Sequence, residues 1–226
     1  MPRPLLIASL AASAPDALPA DGGVRVAAAD VVEVRLDALT GDAVAEAPAL
    51  CRRIAEWGKP LLLTPRSEGE GGMRPWREGE RAAVLEAVWA EAGGAFVDVE
   101  LADSPGLLDW VLSHRPAGTE VVASFHDFQA FPGEQRLTEL AASARARGAD
   151  RFKAAVAVAG GEETARLACW TRDHGGDGFL ASMALGEAGS LSRLMNGLFG
   201  SWGCYAHIEA ATAPGQCAHR CQTIHP

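Results

Sequence analysis

Short runs rich in Val, Leu, Ile and Phe alternate with longer amphipathic stretches along the whole chain. The apolar runs fall at residues 5–10, 31–36, 60–64, 95–101, 120–125, 151–158, 178–183 and 204–208, and each has the length and composition of a buried strand. Between them, residues 43–57, 80–92, 105–114, 134–147, 162–174 and 191–202 read as helices. Gly58, Gly93, Gly148 and Gly175 stand just after several of these, where a helix stop is expected. Strands and helices alternating through one unit predict a parallel (β/α)8 barrel of the TIM type, with residues 1–226 as a single domain. A doubly wound open sheet is the competing arrangement. No G-x-G-x-x-G follows a strand at the start of a helix, which weakens a dinucleotide-binding version of it. The first connection, 11–30, holds Pro15, Pro19, Gly22 and Gly23, so its helix should be short or broken.

Composition narrows the function more than the fold. A hydrophobic content of 48% and a charged content of 22% are those of an ordinary globular domain. The early apolar stretch LLIASLAA is short and interrupted by Ser9, so it reads as a first strand and not as a signal peptide. No stretch approaches the ~18 apolar residues of a membrane span, and a cytoplasmic protein is expected. The net charge of −9, without a cluster of Lys and Arg, argues against nucleic acid as a partner. A small anionic substrate is not excluded by it. Cys51, Cys169, Cys204, Cys217 and Cys221 are odd in number and unrelated in spacing, as reduced thiols are. Cys217 and Cys221 with His219 and His225 lack the spacing of a usual zinc site, so no metal is expected.

Among 20 basic residues only Lys59 and Lys153 are lysines. A bias toward Arg explains the count, but not why these two positions escape it. Lys59 precedes Pro60 in a connection. Lys153 lies in the apolar run 151–158, where strand alternation directs it inward. The expected strand ends carry further polar groups: Glu33, Arg35 and Asp37; Thr64 and Arg66 followed by Glu70; Asp98 and Glu100; His126 and Asp127; Ser192 and Arg193; Thr212 and Gln216. Catalytic groups of such barrels gather at that end, and inward charges must be paired, solvated or functional. An amine in an apolar strand is a candidate for a lowered pKa, hence for a nucleophile. An ion pair with Asp98 or Glu100 is a plainer account of the same lysine, and compatible with the first. A nearby His and carboxylates then suggest proton transfer beside an imine.

Several motifs resemble those of type I 3-dehydroquinate dehydratase, the Schiff-base kind, in order and spacing. They are Glu33-x-Arg35-x-Asp37, Thr64-x-Arg66-x-x-x-Glu70-Gly71-Gly72, Asp98-x-Glu100, Ser124-Phe-His126-Asp127-Phe128, Asp150-x-x-Lys153, Gly186-x-x-Gly189-x-x-Ser192-Arg193 and Thr212-Ala-Pro-Gly-Gln216. The resemblance runs from about residue 5 to 216. It implies a barrel that converts 3-dehydroquinate to 3-dehydroshikimate and water, with neither cofactor nor metal. Lys153 would form the imine, His126 would move the protons, and Glu70 would orient His126 and favour its charged form. Arg193 and Gln216 would hold the substrate carboxylate, with Thr212 in the same closing loop. Glu33, Arg35 and Arg66 would receive the ring hydroxyls.

Three positions depart from the family pattern: Thr212 stands for a frequent Ser, Leu185 for a common Met, and Cys204 for a usual Thr. None removes a group the chemistry needs. A different Schiff-base barrel of the class I aldolase kind is the first alternative, but Arg193 and Gln216 suit a carboxylate better than a phosphate. A non-catalytic relative is the second, and would be expected to lose Lys153 or His126. Relatives commonly begin with a hairpin under the barrel. Here the first strand starts almost at Met1, and about ten residues follow Gln216. A barrel trimmed at both ends is therefore expected, with apolar edges exposed or covered in a homodimer.

Overall fold

The computed structural model describes residues 3–101 and 105–208. Eight strands are present: β1 (Leu5–Leu10), β2 (Val31–Arg35), β3 (Leu61–Thr64), β4 (Phe96–Glu100), β5 (Glu120–Asp127), β6 (Arg151–Ala157), β7 (Leu180–Leu185) and β8 (Gly203–His207). The helices are α1 (Gly22–Arg25), α2 (Ala43–Ala55), α3 (Glu80–Glu91), α4 (Pro105–His114), α5 (Glu134–Ala146), α6 (Gly161–His174) and α7 (Ser192–Met195). Every strand pair is parallel, and the order is β7-β6-β5-β4-β3-β2-β1-β8. The (β/α)8 barrel expected from the alternation is what the chain forms.

Period-two alternation sorts the apolar residues into two cores. Residues on one face of each strand, among them Leu10, Val34, Leu63, Val99, Ala123, Phe152 and Ala184, pack outward against the helices with Leu50, Leu85, Leu108, Leu137 and Leu167. The other face fills the barrel with Ile7, Val31, Leu62, Val122, Ala181, Met183, Trp202 and Tyr205. On that inner face β2, β4 and β5 pass from apolar to polar residues going up, Val31 to Glu33, Phe96 to Asp98 and Val122 to Ser124 and His126, so the apolar half lies low in the barrel and the polar half opens as a site.

Between β7 and β8 no ladder forms among the described residues. The edge of β7 is completed by other donors and acceptors. The backbone N–H of Trp202 donates to Leu180 O at 3.0 Å, Asn196 Nδ2 to Ser182 O at 3.1 Å, and the Ala184 N–H to Ser192 Oγ at 2.8 Å. The helix expected over 191–202 is accordingly only one turn long. Asn196 turns its side chain to the strand, and Gly200, at φ +97°, carries the chain into β8.

The first connection is as short as expected, a 3-10 turn at Pro15–Ala17 and the four-residue α1. No strand precedes β1 among the described residues; the expected stunted last helix lies outside them. Among the described residues the expected apolar edge at the barrel floor is rimmed by charged side chains. Around Trp202 and Leu5 the N-terminal ends of the strands present Arg3, Glu120, Asp150, Arg151 and Asp177. Arg151 pairs with Glu120 at 2.5 Å and lies 4.9 Å from the Trp202 ring, so charged side chains surround the tryptophan that closes the floor.

Candidate active site

The inner faces of β4, β5 and β6 bring Lys153 into a charged cluster. Register sets Glu100 beside Ser124 and Ser124 beside Lys153. Lys153 Nζ donates to Asp98 Oδ2 at 2.7 Å. Asp98 Oδ1 accepts from Ser124 Oγ at 2.6 Å and from Arg66 at 3.0 Å. Arg66 also donates to Glu100 at 2.7 Å and to Ser124 Oγ at 2.8 Å, while Arg81 closes on the other Glu100 oxygen. All of these side chains are buried, and an isolated charge would not survive there. Burial alone would push Asp98 up, yet Arg66 and Lys153, with hydrogen bonds from Lys153 and Ser124, hold it down at about 2. It is a permanent anion beside the amine.

His126 lies on β5 itself, which runs two residues further than the apolar run suggested. Its Nδ1 is 2.8 Å from Glu70 Oε2, and its backbone N–H donates to the same oxygen at 2.8 Å. Phe128 stacks on the ring at 6.3 Å. Glu70 arrives on the β3–α3 loop, in a 3-10 turn at Glu68–Glu70. Burial and the nearby Glu100 carboxylate raise it to about 8. Burial, then Arg66, Lys153, Arg35 and Arg193, lower His126 well below its usual value. Glu70 meets the ring as expected, while desolvation and the four cations act against the charged imidazole.

The remaining expected residues converge on the same cavity, lined by Glu33, Arg35, Arg66, Glu70, His126, Lys153 and Arg193 among others. Glu33 accepts from Ser9 Oγ at 2.5 Å and from Thr64 Oγ1 at 3.0 Å. Arg35 forks onto Asp37 at 2.8 and 2.6 Å, and donates to Gly71 O at 3.2 Å. Arg193, on α7, is buried with a guanidinium nitrogen 3.6 Å from Met183 Sδ. Thr212 and Gln216 lie outside the described residues. Tyr205, Met183 and Ala155 also line it and were not among the expected site residues, although inward alternation along β8, β7 and β6 pointed to them. Larger surface hollows, such as the one beside Trp76 and Trp110, gather no comparable chemistry.

The class of protein is set by these features: a (β/α)8-barrel enzyme site built round a buried lysine, with a His–Glu pair beside it and arginines about it. Comparison with known proteins gives the family. The sequence model of type I 3-dehydroquinase matches residues 10–221. The chain is 36% identical over 194 residues to the 3-dehydroquinate dehydratase of Methanosarcina acetivorans, covering 83% of this chain and 80% of that one. The Aromatoleum aromaticum 3-dehydroquinate dehydratase is 33% identical, over 83% of this chain and 75% of its own. Among solved structures, that of 3-dehydroquinate dehydratase from Geobacillus kaustophilus superposes with a TM-score of 0.82 at 28% identity, over 97% of this chain and 88% of that one. The chain belongs to the type I 3-dehydroquinase family.

Proposed function

We propose that this chain removes water from 3-dehydroquinate to give 3-dehydroshikimate, through an imine on Lys153. The observation that carries the reading is a buried lysine facing one cavity together with the His126–Glu70 pair and three arginines. Lys153 adds to the ring ketone, and the cationic imine draws electrons from the neighbouring carbon. His126, kept neutral by burial and by the cations round it, is in the form that can take the proton from that carbon. Glu70 holds a proton near neutral pH, so the pair can return one to the hydroxyl that leaves as water. Asp98 directs the amine and balances the iminium charge. Arg193 receives the carboxylate, to which a guanidinium fork is suited, and Gln216 and Thr212 are the further residues that the family motif assigns to it. Glu33, Arg35 and Arg66 meet the ring hydroxyls. These proton transfers call for neither metal nor cofactor.

The test is turnover of 3-dehydroquinate, followed by the ultraviolet absorbance of the conjugated product. Borohydride added during turnover should fix a ligand mass on the peptide holding Lys153. A folded protein with no turnover would overturn the substrate; turnover with Lys153 never modified would overturn the imine.

A further inference from the structure

Tyr205 has no part in the scheme above, yet it touches its central atom. It faces the barrel axis from β8, is 4% exposed, and its ring centroid lies 4.6 Å from Lys153 Nζ. Trp202 meets the ring edge-on at 6.2 Å and 72°. Ile7, its register partner in β1, belongs to the same inner core. Packing therefore fixes the ring, and the lysine nitrogen lies between the Asp98 carboxylate at 2.7 Å and an aromatic face. That face is the negative pole of the ring quadrupole and attracts a cation most strongly where water is excluded.

We propose that Tyr205 is a positioning residue for the imine nitrogen, acting through the face of its ring and not through its hydroxyl. The proposal rests on the imine reading above. In imine formation the ammonium first loses a proton to His126, and the freed lone pair adds to the ketone carbon. One N–H proton moves to the oxygen, giving a neutral carbinolamine. The carbinolamine hydroxyl then takes back the proton held by His126 and leaves as water, while the nitrogen lone pair closes the C=N bond. The nitrogen is cationic before and after, and neutral between. A fixed ring face favours the cationic ends over the neutral middle, and so keeps bound substrate as the iminium, the form that borohydride reduces.

The experiment measures the rate at which borohydride fixes substrate to Lys153 at saturating 3-dehydroquinate. The proteins compared are the unaltered chain, Tyr205→Phe, and chains carrying phenylalanines with one, two or three ring fluorines at position 205. The fluorines drain the ring face while leaving its shape nearly unchanged, so packing is held constant. Tyr205→Phe should react like the unaltered chain. The fluorinated series should fall stepwise, by about 2- to 30-fold in all, the span of cation–ring attractions from exposed to desolvated. A flat series would overturn the role of the ring face, as would a Tyr205→Phe rate as low as that of the trifluorinated ring. No Lys153 adduct in the unaltered chain would instead overturn the imine reading, and this proposal with it.

Discussion

His126 stands between one carboxylate and four cations, and its neighbours pull its proton in opposite directions. The cations and burial win, so the imidazole rests neutral. A general base typically supplies ~10²–10⁴-fold in rate; His126→Ala should lose at least that in kcat with KM little changed, and near-normal turnover would mean that another base serves. Stability carries the same signature. Glu70 is raised to about 8 from 4.5, so between those pH values the folded chain holds a proton that the unfolded one has released, which lowers stability as pH rises. His126 is lowered below 6.5, so just under that pH the unfolded chain binds the extra proton, and the two slopes offset. Above pH 6.5 only Glu70 remains, and unfolding free energy should fall by about 1–2 kcal/mol between pH 6.5 and 8. Denaturant titrations across that window test this, and Glu70→Gln should flatten the slope. At this scale the sequence was legible for identity but not for charge. Alternation and rarity single out Lys153, while the direction of the His126 shift depends on Arg35, Arg66 and Arg193, whose convergence only the closed barrel sets.

The β3–α3 loop is the element that brings Glu70 to β5, and its two glycines have separate reasons. Gly71 is at φ +86°, and a Cβ there would lie 2.6 Å from the Phe128 ring. At Gly72 a Cβ would lie 2.4 Å from Arg66 O and 2.6 Å from Ser67 O, backbone atoms that cannot swing aside. Gly72→Ala should therefore displace the loop, costing at least tenfold in kcat by about the reach of one misplaced catalytic group, with a stability loss of about 1–3 kcal/mol. Steady-state kinetics with a thermal melt would check it; an unaltered kcat would mean that Glu70 does not depend on the close approach. Most elements could be read from hydrophobic period alone, because strand and helix faces are buried on a regular core. The helix over 191–202 could not. Apolar spacing continues through Leu194, Leu198 and Trp202, but Asn196 and Ser192 bond to β7, a non-local demand that periodicity does not carry. The extra length of β5 is similar: His126 is polar, so it looked like a strand's end.

As a whole molecule the barrel divides labour between its ends. The floor is sealed by Trp202, whose indole N–H donates to Phe152 O at 3.2 Å, and the site occupies the other rim. Trp202→Ala should cost about 3–5 kcal/mol, as large aromatic deletions from cores do. Its kcat should fall far less than that of His126→Ala. Chemical denaturation and turnover measured together would test the separation, and a loss of activity with stability intact would refute it. The β7–β8 seam adds a consequence for motion. Along the β5–β6 ladder the paired strands hold each other along their length; at Ala184 the amide is protected by a single hydroxyl, that of Ser192. Opening there needs only a side-chain rotation, so deuterium should enter the Ala184 amide sooner than the paired amides of β6. Ser192→Ala should hasten that one site further and leave the β5–β6 ladder unchanged. Equal protection on both sides of the seam would show that the barrel exchanges as a closed ring, and that its missing ladder is no weaker than the ones that are present.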